Sequence, residues 1–287
     1  GSEMCIRDRW MHSLNKEGYN LQVSKFIHFG NSLVQLTNAI DLAKNTKSLL
    51  MLPNMGTCNE AYEFLSRLPN FSYTNGGGCN ETLESKFYFK DECWGHEINN
   101  DTRREILQSD IYPHLEYEDI NLTDDDLVIH IRSGNIFGGW VHKNYAQPPM
   151  SFYDKVIKEA NRKKIIIVAE DDKNPCVKGI LEKYENSFVS HTNLKTSISI
   201  ILSAKKLAIG FGTFGWMQAL LSTNIHTLWC PNVCTDVFDT EFDNGDPFTI
   251  IRHVFEDYID LGEWECSEEQ LQFCLLYTSP SPRDRTR

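Results

Sequence analysis

The stretch Leu127-Val128-Ile129-His130-Ile131-Arg132-Ser133-Gly134-Asn135 decides how the chain is read. Leu127 to Ile129 form a short apolar run that reads as a buried strand. It delivers His130 and Arg132 to its carboxyl end and then turns at Ser133-Gly134. In an open α/β sheet, ligands bind at that end of the strands. Alternation along a strand places His130 and Arg132 on one face. Arginine presents a flat, permanently charged fork that matches two phosphate oxygens. The plainer alternative is an arginine in a surface salt bridge and a histidine satisfied within the core.

Toward the carboxyl end a long loop spans 136–149, a length that is often functional in a compact domain. Strands and helices then alternate. Helix over 151–161 precedes strand 165–169, which ends at Glu170-Asp171-Asp172. Helix 175–184 and strand 187–190 follow, then helix 197–205, strand 207–209, helix 213–221 and strand 226–230. Such alternation predicts a parallel sheet with helices on both faces. Ile250, Ile251, Val254, Phe255, Tyr258 and Ile259 recur at a spacing that predicts one more amphipathic helix.

Toward the amino end, 23–29 reads as a strand, Gly30-Asn31 as a turn, and 32–44 as a helix with an apolar stripe at Leu33, Leu36, Ile40 and Ala43. Leu49 to Leu52 reads as a second strand, ended by Pro53. A helix start after such a turn leaves backbone N–H groups facing the sheet crevice, where an anion can bind. Thr57 to Glu60 and Thr102 to Glu105 match the capping-box pattern, and Asn75 to Gly78 is a glycine loop without a preceding strand. Asp124-Asp125-Asp126 is expected as a solvated turn between domains.

The fold class expected is therefore α/β, with two Rossmann-like domains carrying parallel sheets. The amino-terminal domain covers 10–123 and the carboxyl-terminal one 124–273. Residues 1–9 and 274–287 are set aside, because Met4 to Arg9 and Cys274 to Asp284 look like translated sequencing adapter read in opposite directions. A signal peptide or membrane anchor could have been cut away with the natural ends, so membrane association and compartment stay open.

Composition narrows the function classes. Asp and Glu number 40 against 28 Lys and Arg, a formal charge of −12, which argues against a nucleic-acid surface. No apolar run approaches membrane-spanning length. Nine cysteines, seven of them outside the two tails, are irregularly spaced and make neither a disulfide framework nor a zinc set. Asn70, Asn80, Asn100 and Asn121 each open an Asn-x-Ser/Thr triplet; several arise by chance in a chain so rich in Asn, which makes them weak evidence for a secretory lumen.

Two further motifs compete for attention. Gly210-Phe211-Gly212-Thr213-Phe214-Gly215 fits G-x-G-x-x-G between a strand and a helix. As a dinucleotide fingerprint it falls late in its domain, and the next strand ends without an acid before Asp236. A helix start that holds phosphate remains the better reading. Glu170-Asp171-Asp172 could hold a divalent metal and a sugar diphosphate, since hard oxygen ligands suit Mg²⁺ or Mn²⁺. The favoured reading is an acidic loop that caps the helix beginning near Pro175.

Three stretches together resemble the fucosyltransferase superfamily, whose members use GDP-fucose on a two-domain scaffold of the B-type glycosyltransferase architecture. Phe29 to Leu36 resembles the family's Gly-Asn-Gln turn and helix. His130-Ile131-Arg132-Ser133-Gly134-Asn135 resembles its His-x-Arg-x-Gly-Asp motif. Gly212 to Trp216 resembles its late Ser/Thr-Phe segment at a helix start. The resemblance implies inverting transfer of fucose from GDP-fucose to a glycan hydroxyl, with no metal required. It implies that Arg132 holds the β-phosphate and stabilises the leaving diphosphate, with Asn31 facing the donor from the other domain. His130 would contact the nucleotide, and Gly30, Gly134, Gly212, Thr213 and Phe214 would complete the donor site. Two positions depart from the family: Asn135 stands where Asp is usual and Ser32 where Gln is common. The general base is left unassigned. A metal-dependent transferase built on the acidic triplet, and a nucleotide-sugar or glycan-binding protein without chemistry, are the alternatives.

Overall fold

β-Branched and leucine runs flanked by amphipathic segments fold into two compact units, 1–116 and 117–287, in the computed structural model of the chain. The structure describes residues 19–53, 60–74, 81–138, 147–191, 193–231, 249–253 and 263–274. Among these, no helix is long and apolar enough to cross a membrane.

The first unit is built on β1 (Asn20–Val23), α1 (Phe29–Thr46), β2 (Leu49–Met51), α2 (Glu60–Leu65), β3 (Phe71–Ser72), β4 (Thr82–Ser85) and α3 (Asn100–Ile106). Its sheet has the order β3-β2-β1-β4. The two pairs at β1 are parallel, but β2 and β3 pair antiparallel, so this sheet is mixed rather than parallel as expected. β1 also lies earlier than the 23–29 read from sequence. Helix α1 starts at Phe29 with His28 as its N-cap, so Gly30 and Asn31 form its first turn instead of preceding it. Gly30 has no left-handed backbone. Leu33, Leu36, Ala39, Ile40 and Ala43 are fully buried, as the stripe requires. Polar residues of the same helix are buried because they hold neighbouring loops: Gln35 Nε2 donates to the carbonyls of Lys25 and Lys86, at 3.1 and 2.7 Å. The α3 capping box gives way to Asn99, whose Oδ1 accepts from the Thr102 amide at 2.8 Å. Asn competes strongly with Thr for that role. The boxes and loops at 57–60 and 75–78 lie wholly or largely outside the described residues.

The second unit carries β5 (Asp126–His130), α4 (Met150–Glu159), β6 (Lys164–Val168), α5 (Pro175–Lys183), β7 (Ser187–Ser190), α6 (Leu194–Ser203), β8 (Lys206–Ile209), α7 (Thr213–Leu221), β9 (Thr227–Pro231), β10 (Thr249–His253) and α8 (Glu268–Cys274). Its six strands are ordered β10-β9-β8-β5-β6-β7, and all five pairs are parallel. The chain starts at the centre, builds outward to β7, crosses back over β5 and builds the other half. That is the order of the doubly wound nucleotide-binding fold, and its switch point lies between β5 and β8.

Alternation along β5 splits the core. Leu127, Ile129 and Ile131 pack with Phe152, Val156 and Ile180 of α4 and α5, while Val128 packs with Ile201 and Ala219 of α6 and α7. The aspartates before β5 are paired rather than merely solvated: Asp124 with His226, and Asp125 with Lys163. Thr249 to His253 is a strand, not the start of a helix, because its β-branched run pairs with β9. Residues 254–259 of that expected helix lie outside the described residues.

Candidate functional site

The carboxyl ends of β5, β6 and β8 bring one cluster together in the second unit. β5 ends at His130, but the ladder reaches one residue further, since the Ile131 amide donates to the Val168 carbonyl at 3.0 Å. Ile131 is fully buried, so Arg132 is the first side chain free to leave the sheet. The chain then turns through a 3-10 segment, Gly134–Phe137, with Gly134 at φ +75°. Trp264 fastens this turn from the far end of the unit. Its Nε1 donates to the Ile136 carbonyl at 2.9 Å, and its ring meets Phe137 edge-on.

Arg132 is held from two sides. One terminal nitrogen pairs with the Glu170 carboxylate and the other donates to Asn135 Oδ1 at 2.7 Å. Its backbone is clamped as well, because Asn174 Nδ2 donates to the Arg132 carbonyl at 2.9 Å. Asn174 is fully buried and also caps α5, accepting from the Cys176 amide at 3.0 Å. The acidic loop therefore does not cap α5 as expected; Asn174 before Pro175 does.

The acidic triplet splits among three partners. Glu170 takes Arg132, Asp172 takes His191 Nε2 at 2.6 Å, and Asp171 takes the Ser133 hydroxyl. Asp171 Oδ1 also accepts from the amides of Gly134 and Lys173, at 3.0 and 3.1 Å. Partial burial raises the Asp171 pKa, but these hydrogen bonds, with the Lys173 ammonium, outweigh it and bring it to about 2. Asp171 thus stays ionised and holds the turn after Arg132. Among the described residues no three metal-ligating groups converge.

His130 is 6 % exposed, and its Nδ1 has no hydrogen-bond partner. Burial, aided by the Arg132 charge, lowers its pKa to about 3, so the ring is neutral. The plainer reading of a satisfied core histidine fails at Nδ1. The start of α7 closes over this ring. Phe214 stacks at a tilt with its centroid 5.1 Å away, and a Cβ on Gly215 would lie 2.8 Å from Nδ1 and 2.9 Å from Ile209 Cγ2. Only glycine allows α7 to begin so close to the strand ends. Its N-cap, Gly212, has φ +116° and ψ 153°, a conformation essentially confined to glycine.

His130, Arg132, Gly134, Gly212, Thr213 and Phe214 thus fall at the carboxyl edge of one sheet, beside the switch point. Asn31 belongs to the first unit, where it lies in the first turn of α1 and its Oδ1 accepts from the Tyr88 hydroxyl at 3.4 Å. Asn174, Trp264 and Gly215 are the residues that sequence reasoning passed over. Asn-Pro ahead of a helix signals Asn174, and Gly215 lies within both the G-x-G-x-x-G pattern and the Gly212 to Trp216 segment without standing out from either. For Trp264 no local signal exists.

No protein-family model matches the chain, and no curated protein matches it. Among solved structures it is similar to a crystal structure of POFUT1 in complex with GDP, at 10 % identity and a TM-score of 0.42. The match covers 75 % of this chain and 98 % of that one.

Proposed function

We propose that the protein is a glycosyltransferase that binds a nucleoside-diphosphate sugar, with GDP-fucose as donor, and transfers the sugar with inversion to a glycan hydroxyl. The observation that carries this reading is the packing of neutral His130 against the start of α7 at the carboxyl edge of a doubly wound sheet, with Arg132 two residues further along the same strand end. A diphosphate placed there would meet a guanidinium fork and the N–H groups of a helix start. Charge developing on the leaving diphosphate is where Arg132 would act. The sequence motif around His130 supplies the donor identity, and the acceptor follows from the same resemblance. For Asn31 of the first unit the family resemblance implies a part in turnover, so Asn31→Ala should lower GDP release from GDP-fucose.

Titrating GDP, UDP and CMP sugars with and without EDTA tests the donor. Binding preferential to GDP-fucose and indifferent to EDTA is expected. Loss of binding in EDTA with recovery in Mn²⁺ would transfer the reading to a metal-dependent enzyme.

A second reading, a nucleotide-sugar-binding protein without chemistry, is favoured by Asn135. Its side chain carries no carboxylate and is committed to Arg132 at 2.7 Å. Release of GDP from GDP-fucose with a glycan acceptor separates the two. Turnover by the natural chain supports the enzyme, whereas turnover gained only in Asn135→Asp supports the binding protein.

A further inference from the structure

The geometry points to Glu170 as an internal competitor for the anion site at Arg132, and so as the residue that sets which anions the site accepts. Both terminal nitrogens of the Arg132 fork are engaged, one by the Glu170 carboxylate and one by the Asn135 amide oxygen. The second carboxylate oxygen of Glu170 lies over Gly134, in the space a Cβ would fill. A carboxylate with one oxygen on the arginine and the other against a bare glycine stands where a phosphate oxygen would reach the fork. The two side chains differ in freedom: Arg132 is 17 % exposed and clamped through its carbonyl, while Glu170 is 58 % exposed at a strand end. Glu170 is therefore the partner that leaves.

An anion that takes both terminal nitrogens of the fork must displace it. Its apparent affinity is reduced by the fraction of molecules in which Glu170 remains in place. A diphosphate brings more charge than the carboxylate it replaces, whereas a singly charged ligand merely exchanges with it. The site thus rejects weak anions and admits diphosphates. This inference rests on the proposed nucleotide-sugar reading, which it deepens.

The test titrates inorganic pyrophosphate, GDP and guanosine into the whole protein, Glu170→Gln and Asp172→Asn at one low ionic strength. The exposure of Glu170 sets a gain of about twofold to fivefold in Glu170→Gln for pyrophosphate and GDP. Guanosine, which carries no phosphate, should bind the same in all three. Equal GDP affinity in wild type and Glu170→Gln overturns the competitor and leaves the nucleotide reading standing. A gain for pyrophosphate, with GDP no tighter than pyrophosphate in either protein, supports the competitor and removes the nucleotide reading. Asp172→Asn removes a charge from the same loop but not from Arg132. A gain there as large as in Glu170→Gln would assign the effect to net charge and overturn the inference, as would pyrophosphate that binds neither protein.

Discussion

At the scale of single residues, Arg132 concentrates the most chemistry. Its fork makes two charge-assisted contacts, to Glu170 and Asn135, from a backbone fixed by Asn174. Lysine would keep the charge and lose the paired geometry. Arg132→Lys should therefore cost about 1.5–3 kcal/mol of transition-state stabilisation, or roughly ten- to a hundredfold in kcat/KM. Steady-state kinetics with GDP-fucose, beside a melting curve, checks it. Near-normal turnover in a well-folded variant would make Arg132 structural. Arg132 and His130 were legible because one strand carries both. The carboxylates that hold Arg132 and Ser133 were not, since Glu170 and Asp171 lie 38 residues beyond them and meet them only when β5 and β6 pair. Spacing in sequence holds no trace of that adjacency.

At the scale of elements, the approach of α7 to the sheet rests on one glycine. A methyl group at 215 would sit 2.8 Å from His130 Nδ1 and 3.2 Å from Ile209 Cβ, both on buried residues. Gly215→Ala should cost about 1–3 kcal/mol of stability as α7 is pushed outward. GDP affinity should fall with it, because the helix start would leave the ring. Denaturant melts and GDP titration read the two effects, and a variant unchanged in both would show α7 to be loosely seated. Strands β5, β6, β8 and β9 were legible as apolar runs because both faces are covered. β10 was not: Ile250 and Ile251 suit a helical stripe as well as a strand, and pairing with β9 decides. Helix α3 starts before the expected Thr102 cap because Asn99 takes that role, and α6 starts before residue 197 because Asn193 caps it.

At the scale of the molecule, the buried neutral histidine ties stability to pH. The unfolded chain binds a proton on His130 below about pH 6.5, while the folded protein resists until about pH 3. Stability present above 6.5 is therefore lost as pH falls through that window, by up to about 1.4 kcal/mol per unit. His130→Leu should flatten the decline between pH 6.5 and 4, measured by urea unfolding at each pH. A slope unchanged by the substitution would show that the ring protonates in the folded state. The strand order has a further consequence, for synthesis. β5 leaves the ribosome first among the strands of its sheet, yet one of its two neighbours, β8, is 76 residues behind the end of β5 at the start of its own pairing, Lys206. β6 can seal one edge early, but the other edge, Leu127 to His130, stays open until Ile209 has been made. An unpaired apolar edge invites pairing with other chains. Ribosomes stalled before Lys206 should thus yield nascent chains that aggregate or are held by chaperones, and release should coincide with emergence of β8.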